Sequence, residues 1–227
     1  MHLLSVNVGI ETPIAGAGKS GKTGIFKRGV DGPVALTPLG LAGDTIGDTE
    51  NHGGVDQAVY VYGAPDYAWW SKELGRELPP GTFGENLTVS GLRSAECYIG
   101  DRFLLGPAIL EVTAPRIPCS TLSARMGDRM FVKCFMRAER PGLYCRVVRA
   151  SEVRAGEAVE LEPYDGEQVL VVELFRDFFD TEPAESTLRR HLSVPIAARA
   201  RAHKEKQLGR LLARGGASVY GGTVAEG

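Results

Sequence analysis

The residue whose type and setting most suggest chemistry is Cys119. It ends the segment Ala114-Pro115-Arg116-Ile117-Pro118-Cys119, whose two prolines exclude a helix until past the cysteine. The run before it, residues 108–113, is rich in β-branched residues and predicts a strand. Cys119 is therefore expected on a loop at the end of a strand, where Arg116 favours the thiolate that acts as nucleophile or metal ligand. The alternative is a small buried hydrophobic residue, as many cysteines are.

A second candidate is His52, which lies in a long stretch of turn residues and is followed by Gly53 and Gly54. Loops of this length without periodicity are usually functional or disordered. Paired glycines allow a close backbone approach or a positive φ beside the imidazole. The ring can bind an anion, hold a cofactor or move a proton, and it can equally hydrogen-bond to its own loop.

Two further pairs of polar residues are candidate ligand-binding groups. Lys27 and Arg28 are adjacent in an extended pattern, so their side chains are expected on opposite faces, with only one of them in a cleft. An ordinary surface position is the alternative for both. Glu85 and Asn86 follow a turn and can offer acceptors and amide donors to a polar ligand.

Several function classes are excluded or disfavoured. The segment Gly16-Ala17-Gly18-Lys19-Ser20 invites comparison with a phosphate-binding loop, but neither a clean strand before it nor a helical pattern after it is present. The four cysteines never approach CxxC spacing, which disfavours a zinc knuckle or a redox pair. No apolar run has the roughly 18 residues of a membrane span, and the N-terminus does not resemble a signal peptide. A cytoplasmic protein with reduced thiols is expected.

Charge is distributed unevenly along the chain. Residues 187–214 contain six Arg and two Lys against one Glu, which leaves 18 basic and 27 acidic residues elsewhere. A basic segment of this kind can bind nucleic acid, but a solvated helix face that contacts the acidic body is the simpler interpretation.

The elements predict a mostly β fold. Many short strands with glycine turns, an amphipathic helix over residues 64–78 and a short helix over 129–137 indicate a closed or nearly closed barrel. A last strand is predicted at 169–172. Three helices are then predicted at 173–179, 183–192 and 194–213. The domain prediction is a β domain over residues 1–166, a small helical domain over 167–214 and a disordered tail over 215–227.

Seven motifs occur in a characteristic order along the chain. They are Thr23-Gly24-Ile25-Phe26-Lys27-Arg28, Gly40-Leu41-Ala42-Gly43-Asp44, His52-Gly53-Gly54, Phe83-Gly84-Glu85-Asn86-Leu87, Ile99-Gly100-Asp101, Pro115-Arg116-Ile117-Pro118-Cys119 and Gly142-Leu143-Tyr144-Cys145-Arg146-Val147. Taken together, over about residues 1–214, the chain resembles the MOSC family, the molybdenum cofactor sulfurase C-terminal domain. The likeness is greatest to the stand-alone YiiM-like branch with its three-helix tail.

This resemblance implies a MOSC-type β-barrel similar to that of pyruvate kinase, with a few helices and a small C-terminal helical domain. It further implies a bound molybdenum cofactor (molybdopterin) and reduction of N-hydroxylated compounds, such as hydroxylaminopurines, to amines. Pyridoxal phosphate binding is a further ligand association of the family. A homodimer is also implied.

The family's site residues are carried onto this chain by position. The family's cysteine falls on Cys119, the expected metal ligand, and its cationic cluster falls on Lys27, Arg28 and His52. Cys119 and His52 are the expected catalytic residues. The expected cofactor-binding residues are Lys27, Arg28, His52, Glu85, Asn86 and Arg116.

Two positions depart from the family pattern. The proline usual after the Lys-Arg pair is Gly29 here. The usual Pro-Asp-Lys after His-Gly-Gly is Val55-Asp56-Gln57, which lacks one cation.

Three functions follow from these observations. The first is a cofactor-dependent reductase, which needs a separate electron-donor protein because the sequence carries no flavin, haem or iron–sulfur pattern. The second, also implied by the family, is a sulfur-carrier or cofactor-handling protein with a persulfide on Cys119. The third is a binding module whose basic tail contacts an acidic partner or nucleic acid. Of these, nucleic acid is the less expected partner, and no membrane is expected.

Overall fold

A computed structural model describes residues 1–15, 21–45 and 53–219, with side chains up to residue 214. Two segments singled out from the sequence, Gly16-Ala17-Gly18-Lys19-Ser20 and His52, lie outside the described residues. Gly53 and Gly54, which follow His52, both have positive φ, 78° and 83°. The expected glycine conformation beside the histidine is therefore present.

Short strands dominate the described part of the chain. The strands are β1 (Leu3–Val8), β2 (Thr12–Pro13), β3 (Lys22–Thr23), β4 (Arg28–Gly29), β5 (Val34–Thr37), β6 (Gly40–Leu41), β7 (Val59–Gly63), β8 (Leu87–Val89), β9 (Arg102–Leu105), β10 (Ala108–Pro115), β11 (Leu143–Arg149), β12 (Ser151–Val153) and β13 (Glu160–Glu162). The helices are α1 (Ala64–Leu74), α2 (Ser120–Met126), α3 (Phe131–Ala138), α4 (Val171–Asp177), α5 (Glu185–Leu192) and α6 (Ala198–Val219).

The largest sheet has eight strands in the order β13-β9-β10-β11-β7-β8-β1-β4. Most neighbours are antiparallel, whereas β7 and β8 are parallel and are joined through α1. Two small sheets, β12-β5-β6 and β2-β3, complete the β structure. The mostly β prediction is confirmed.

A closed barrel is not formed by the strands that the structure describes. The two ends of the large sheet, β13 and β4, do not pair with each other. Between β1 and the segment before β13 the pairing is limited to one bridge, His2 to Ala158, and three backbone hydrogen bonds, from Leu3 to Glu157, from Gly156 to Leu3 and from Val159 to Met1. The physical reason is the length of the end strands: β4 has two residues and β13 has three, all of them exposed, too few for a continuous ladder.

The predicted helices are present, but their first and last residues differ from the prediction. α1 and α3 lie within a few residues of their predicted positions, but α2 was not predicted. The strand predicted at residues 169–172 is wrong: only a bridge between Leu170 and Tyr98 is present, and α4 begins at Val171. Val171 and Val172 are buried in this helix, and Glu173 accepts a hydrogen bond from the Leu170 amide at 3.2 Å. Tertiary packing and this cap override the β propensity of the valines.

Three helices follow the last strand, as predicted, and α6 extends to Val219. A buried cluster joins them: Lys204 of α6 donates to the Asp177 carboxylate of α4, and the Nδ1 of His191 on α5 lies 3.8 Å from the same carboxylate. Arg201 of α6 donates to the carbonyls of Leu192 and Val194, both at 2.8 Å. The inward cations of α6 therefore hold the helices together. None of the helices in the described ranges is long and apolar enough to cross a membrane.

The pH dependence of stability tests the role of His191. Burial, reinforced by the charge of Lys204, lowers the pKa of His191 below its usual value. The unfolded chain therefore takes up a proton as the pH falls through about 6.5, whereas the folded chain resists it, so the free energy of unfolding decreases with acidification.

We expect His191→Leu to flatten the decrease in denaturant midpoint between neutral and mildly acidic pH. The exposed His203 offers a matched control, since His203→Leu should leave the wild-type slope intact. An unchanged slope in His191→Leu would contradict this assignment.

Candidate functional site

A cavity of about 350 Å³ lies between β1, β4, the C-terminal turn of α2 and the turn that precedes β8. Three of its lining side chains carry positive charge, and we call it the cationic hollow. Its lining residues are Ser5, Phe26, Lys27, Arg28, Gly29, Pro79, Pro80 and Arg125. Lys27 and Arg28, both predicted from the sequence, are therefore brought to one cavity.

The expectation that only one of these two cations enters a cleft is wrong. Residues 25–27 are not strand, because the Lys27 amide donates to the Ile25 carbonyl at 2.8 Å in a tight turn. The chain turns at Lys27, and strict alternation does not apply. Lys27 is buried whereas Arg28 is exposed.

Asp44 is the buried partner of Lys27. Its carboxylate accepts hydrogen bonds from the Lys27 ammonium, from the Gly9 amide at 2.8 Å and from Asn86 Nδ2 at 2.8 Å. Asn86 Oδ1 in turn accepts from the Tyr60 amide at 3.1 Å. Burial lowers the pKa of Lys27, and the Asp44 charge opposes that effect. The Asn86 side chain therefore has a structural role, because its hydrogen bonds connect β7 to the loop that carries Asp44.

Glu85 is completely buried beside this network. Its Oε1 accepts from Tyr67 Oη at 2.6 Å, from the Gly81 amide at 2.6 Å and from Thr88 Oγ1 at 2.8 Å. Its Oε2 is buried and has no hydrogen-bond partner in the part of the chain that is described. Burial raises the pKa of Glu85, against the donors to Oε1.

Gly81 joins Glu85 to Lys27. It has a φ of +84°, and a Cβ on it would lie 2.5 Å from the Lys27 carbonyl oxygen. Glycine is therefore required at this position, both for the backbone conformation and for the close approach.

Arg125 is a site residue that sequence reasoning missed. It lies on α2, and its guanidinium stacks over the Phe26 ring at 4.8 Å from the centroid. Its Nε is buried without a hydrogen-bond partner among the described residues. Burial lowers the pKa of Arg125, and the charges of Arg28 and Arg76 act in the same direction. The available signal was its position six residues after Cys119, but only a predicted helix there would have pointed to it.

A second cluster surrounds Cys119. This residue is partly exposed and extended (φ −134°, ψ 173°), and α2 begins directly after it. Tyr60 and Tyr144 are cross-strand partners on β7 and β11, with ring centroids 5.2 Å apart. Arg116 follows the end of β10, where the ladder stops at Pro115 and Leu143. The predicted strand and the loop position of the cysteine are both present.

Arg116 is only 4% exposed, and its guanidinium faces the rings of Tyr60 and Phe135 at 5.7 and 5.8 Å. Its Nη1 is buried without a hydrogen-bond partner in the described ranges. Burial lowers the pKa of Arg116, but Tyr60, Tyr144 and Cys119 together outweigh this and raise it above the usual value. A buried cation that lacks a full set of acceptors is well suited to an anionic ligand.

The two clusters are adjacent, but Cys119 does not line the cationic hollow. α2 connects them, since the six residues from Cys119 to Arg125 span about 9 Å of helix. Glu85 acts electrostatically on Tyr60 in one cluster and on Arg125 in the other. Of the predicted residues, Lys27 and Arg28 line the hollow, whereas Glu85 and Asn86 lie behind its wall. Arg116 is grouped with Cys119, and His52 lies outside the described ranges.

The described residues alone do not form a metal site. Within the described ranges, no group of three or more His, Cys, Asp or Glu residues is arranged to hold a metal ion.

Comparison with known proteins decides the family. The MOSC domain family matches residues 48–160. An uncharacterized protein, YflK of Bacillus subtilis, is 39% identical over 159 residues, which are 70% of this chain and 72% of YflK. This chain belongs to the MOSC family.

The fold of the MOSC protein agrees with this assignment. The crystal structure of YiiM from Geobacillus stearothermophilus superposes with a TM-score of 0.76 at 24% identity, over 91% of this chain and 98% of YiiM. The predicted YiiM-like MOSC fold, including its C-terminal helices, is confirmed. A Gibberella moniliformis protein named "Reductase" is 33% identical over 155 residues, which are 66% of this chain and 28% of that longer protein.

Removing the Asp44 charge should destabilise the fold. Asp44→Asn leaves the Lys27 ammonium buried without a counter-charge, which costs about 3 kcal/mol or more of unfolding free energy. The double variant Lys27→Met/Asp44→Asn removes both charges and should recover part of this loss. Chemical denaturation of both variants measures the effect. Strictly additive losses would show that the ion pair is not what Asp44 contributes.

Proposed function

We propose that this MOSC protein binds the molybdenum cofactor between the cationic hollow and Cys119, and that it reduces N-hydroxylated compounds to the corresponding amines. The observation that carries the proposal is the pairing of a partly exposed thiol with the buried, incompletely hydrogen-bonded guanidinium of Arg116. The fungal relative named as a reductase supports the reaction class.

The donor set fits the cofactor. Thiolate is a soft ligand suited to a metal such as molybdenum, and Cys119 offers it at the end of a rigid strand. A phosphate and a dithiolene carry negative charge, for which Lys27, Arg28, Arg125 and Arg116 provide cations. The buried atoms Arg116 Nη1 and Arg125 Nε have no hydrogen-bond partner among the described residues, so each can donate a hydrogen bond to such a ligand.

Each residue of the site would then have a defined role in binding the cofactor. Arg28 and Arg125 would hold the phosphate, with Phe26 fixing the plane of the Arg125 guanidinium. Lys27, whose ammonium pairs with Asp44, would shape the wall of the hollow, and Arg28 and Arg125 would supply its net positive charge. Glu85 and Asn86 act behind this wall, where they orient Tyr60, Tyr67 and the Gly81 turn.

The overall reaction converts R–NH–OH, two electrons and two protons to R–NH₂ and water. The cofactor, when bound, supplies the redox chemistry, and the protein supplies its position and electrostatic environment. Arg116 and the two phenols of Tyr60 and Tyr144 would surround the reacting region beside Cys119. Homodimer formation, pyridoxal phosphate binding and a catalytic role of His52 stay predictions.

Replacing the proposed metal ligand tests the function directly. Cys119→Ala, produced in a molybdenum-replete host, should contain less molybdenum and should lose reduction of hydroxylaminopurines and simple hydroxylamines. The loss should exceed the roughly 10- to 100-fold that is typical of changes to residues outside the metal's own ligands. Cys134→Ala is the matched control, because Cys134 is exposed on α3. A Cys119→Ala protein with wild-type metal content and activity would refute the ligand assignment.

Arg125 gives a second test that does not depend on turnover. Arg125→Gln should weaken cofactor retention about 10-fold or more, the effect of losing one charge-assisted hydrogen bond of about 1.5 kcal/mol. Pterin released from the purified protein is the measurement, and Arg129→Gln, an exposed position just beyond α2, is the control. Equal pterin content in both variants would remove Arg125 from the site.

The alternative function, sulfur transfer through a persulfide on Cys119, draws support from the same pairing, because a cation beside a sulfur also stabilises the persulfide anion. Incubation with a sulfur donor followed by mass spectrometry distinguishes the two. A gain of about 32 Da on Cys119 without N-hydroxy reduction would favour the carrier.

A further inference from the structure

The outward side of α6 carries one continuous line of basic residues. At 100° per residue, its members fall within about 80° of one another around the helix axis. All of them are exposed. We call them the cationic stripe: Arg199, His203, Lys206, Arg210 and Arg214.

The stripe differs from the inward cations of the same helix. Arg201 and Lys204 donate hydrogen bonds to α4, to the end of α5 and to the segment that follows it, as described above. By contrast, Lys206, Arg210 and Arg214 form no ion pair with any residue in the described part of the chain. Ion pairs within the protein therefore do not account for these three outward charges.

One end of the stripe reaches the candidate site. The charge of Arg199 acts on Tyr144, which also interacts with Arg116 and Cys119. The Ala198 amide, next to Arg199, donates to Asp56 Oδ2 at 2.6 Å, and Asp56 pairs with Arg146 at 3.1 Å. Asp56 thus anchors the start of α6 on the segment after Gly53 and Gly54. From there the stripe extends about 22 Å along the helix to Arg214.

We propose that the cationic stripe is the docking surface for a small acidic electron-carrier protein of the ferredoxin or flavodoxin class. This inference rests on the proposed reductase function, because each reduction consumes two electrons. In each turnover the N–O bond breaks, one of the two protons taken up forms the new N–H bond, and the other leaves with the hydroxyl oxygen as water. The carrier is oxidised by two electrons in one or two encounters.

Charge complementarity favours a small protein over a nucleic acid. Outside residues 187–214 the chain has 18 basic and 27 acidic residues, so a long polyanion that extends past α6 meets a repulsive surface. A compact acidic carrier needs only the stripe, and its attraction to the stripe brings it to the end nearest Tyr144 and Cys119.

The test compares two charge reversals in the full-length, cofactor-loaded protein. The stripe variant is Lys206→Glu/Arg210→Glu/Arg214→Glu. The control, Lys72→Glu/Arg129→Glu/Lys133→Glu, makes the same change in net charge at exposed positions on α1 and around α3. The probes are a purified acidic [2Fe–2S] ferredoxin and a purified acidic flavodoxin, with reduced methyl viologen as the small donor.

We expect at least one of the two carriers to bind the wild-type protein at low ionic strength. The stripe variant should lose about 10-fold or more in kcat/KM for that carrier, and this difference should shrink as salt is added. Its turnover with methyl viologen should not decrease, which shows that the site is intact. The control should resemble wild type with both kinds of donor.

Three results overturn the docking surface: no binding of either carrier at low salt, equal losses in the two variants, or stripe-dependent binding of a DNA duplex in place of the carriers. Failure of the proposed function is distinguishable. It would be seen as carrier binding that depends on the stripe in a protein that reduces no N-hydroxy compound even with methyl viologen.

Discussion

The arrangement depends on the cost of holding positive charge out of water. Arg116 is almost fully buried among aromatic rings, and no carboxylate in the described ranges pairs with it. Such a group is costly to bury unless acceptors replace its hydration. A hydrogen bond with the Tyr144 side chain replaces part of this hydration, and Nη1 has no hydrogen-bond partner among the described residues. The same holds, at a more open position, for Nε of Arg125.

The two acidic residues near the hollow, Asp44 and Glu85, are held inside the protein by hydrogen bonds. Asp44 neutralises Lys27, and Glu85 is directed by Tyr67, Gly81 and Thr88. Both carboxylates lie behind the wall of the hollow and do not line it. The cavity therefore presents the positive charges of Arg28 and Arg125, while the carboxylate that pairs with Lys27 lies inside the protein, an arrangement suited to binding an anion.

Much of the fold was predictable from local patterns. Prolines fixed the loop before Cys119, and the alternating run before it formed β10. What failed depended on tertiary contacts. The valines at 171 and 172 look like strand but are buried in α4, and the short end strands leave the sheet open where a barrel was expected.

The site was predictable only in part, because its chemistry depends on long-range pairs. Asp44 is 17 residues from Lys27 and 42 from Asn86 in sequence. Arg125 lies on a helix that the pattern did not reveal. The family motifs marked Lys27, Arg28, Glu85, Asn86, Arg116 and Cys119, whereas the role of Asn86 as a brace inside the protein required the structure.

A crystal structure of the protein purified with its cofactor tests the central claim most directly. The account predicts phosphate density in the hollow against Arg28 and Arg125, and the metal within bonding distance of the Cys119 sulfur. A cofactor bound elsewhere, with Arg116 and Cys119 making no contact to it, would contradict the account.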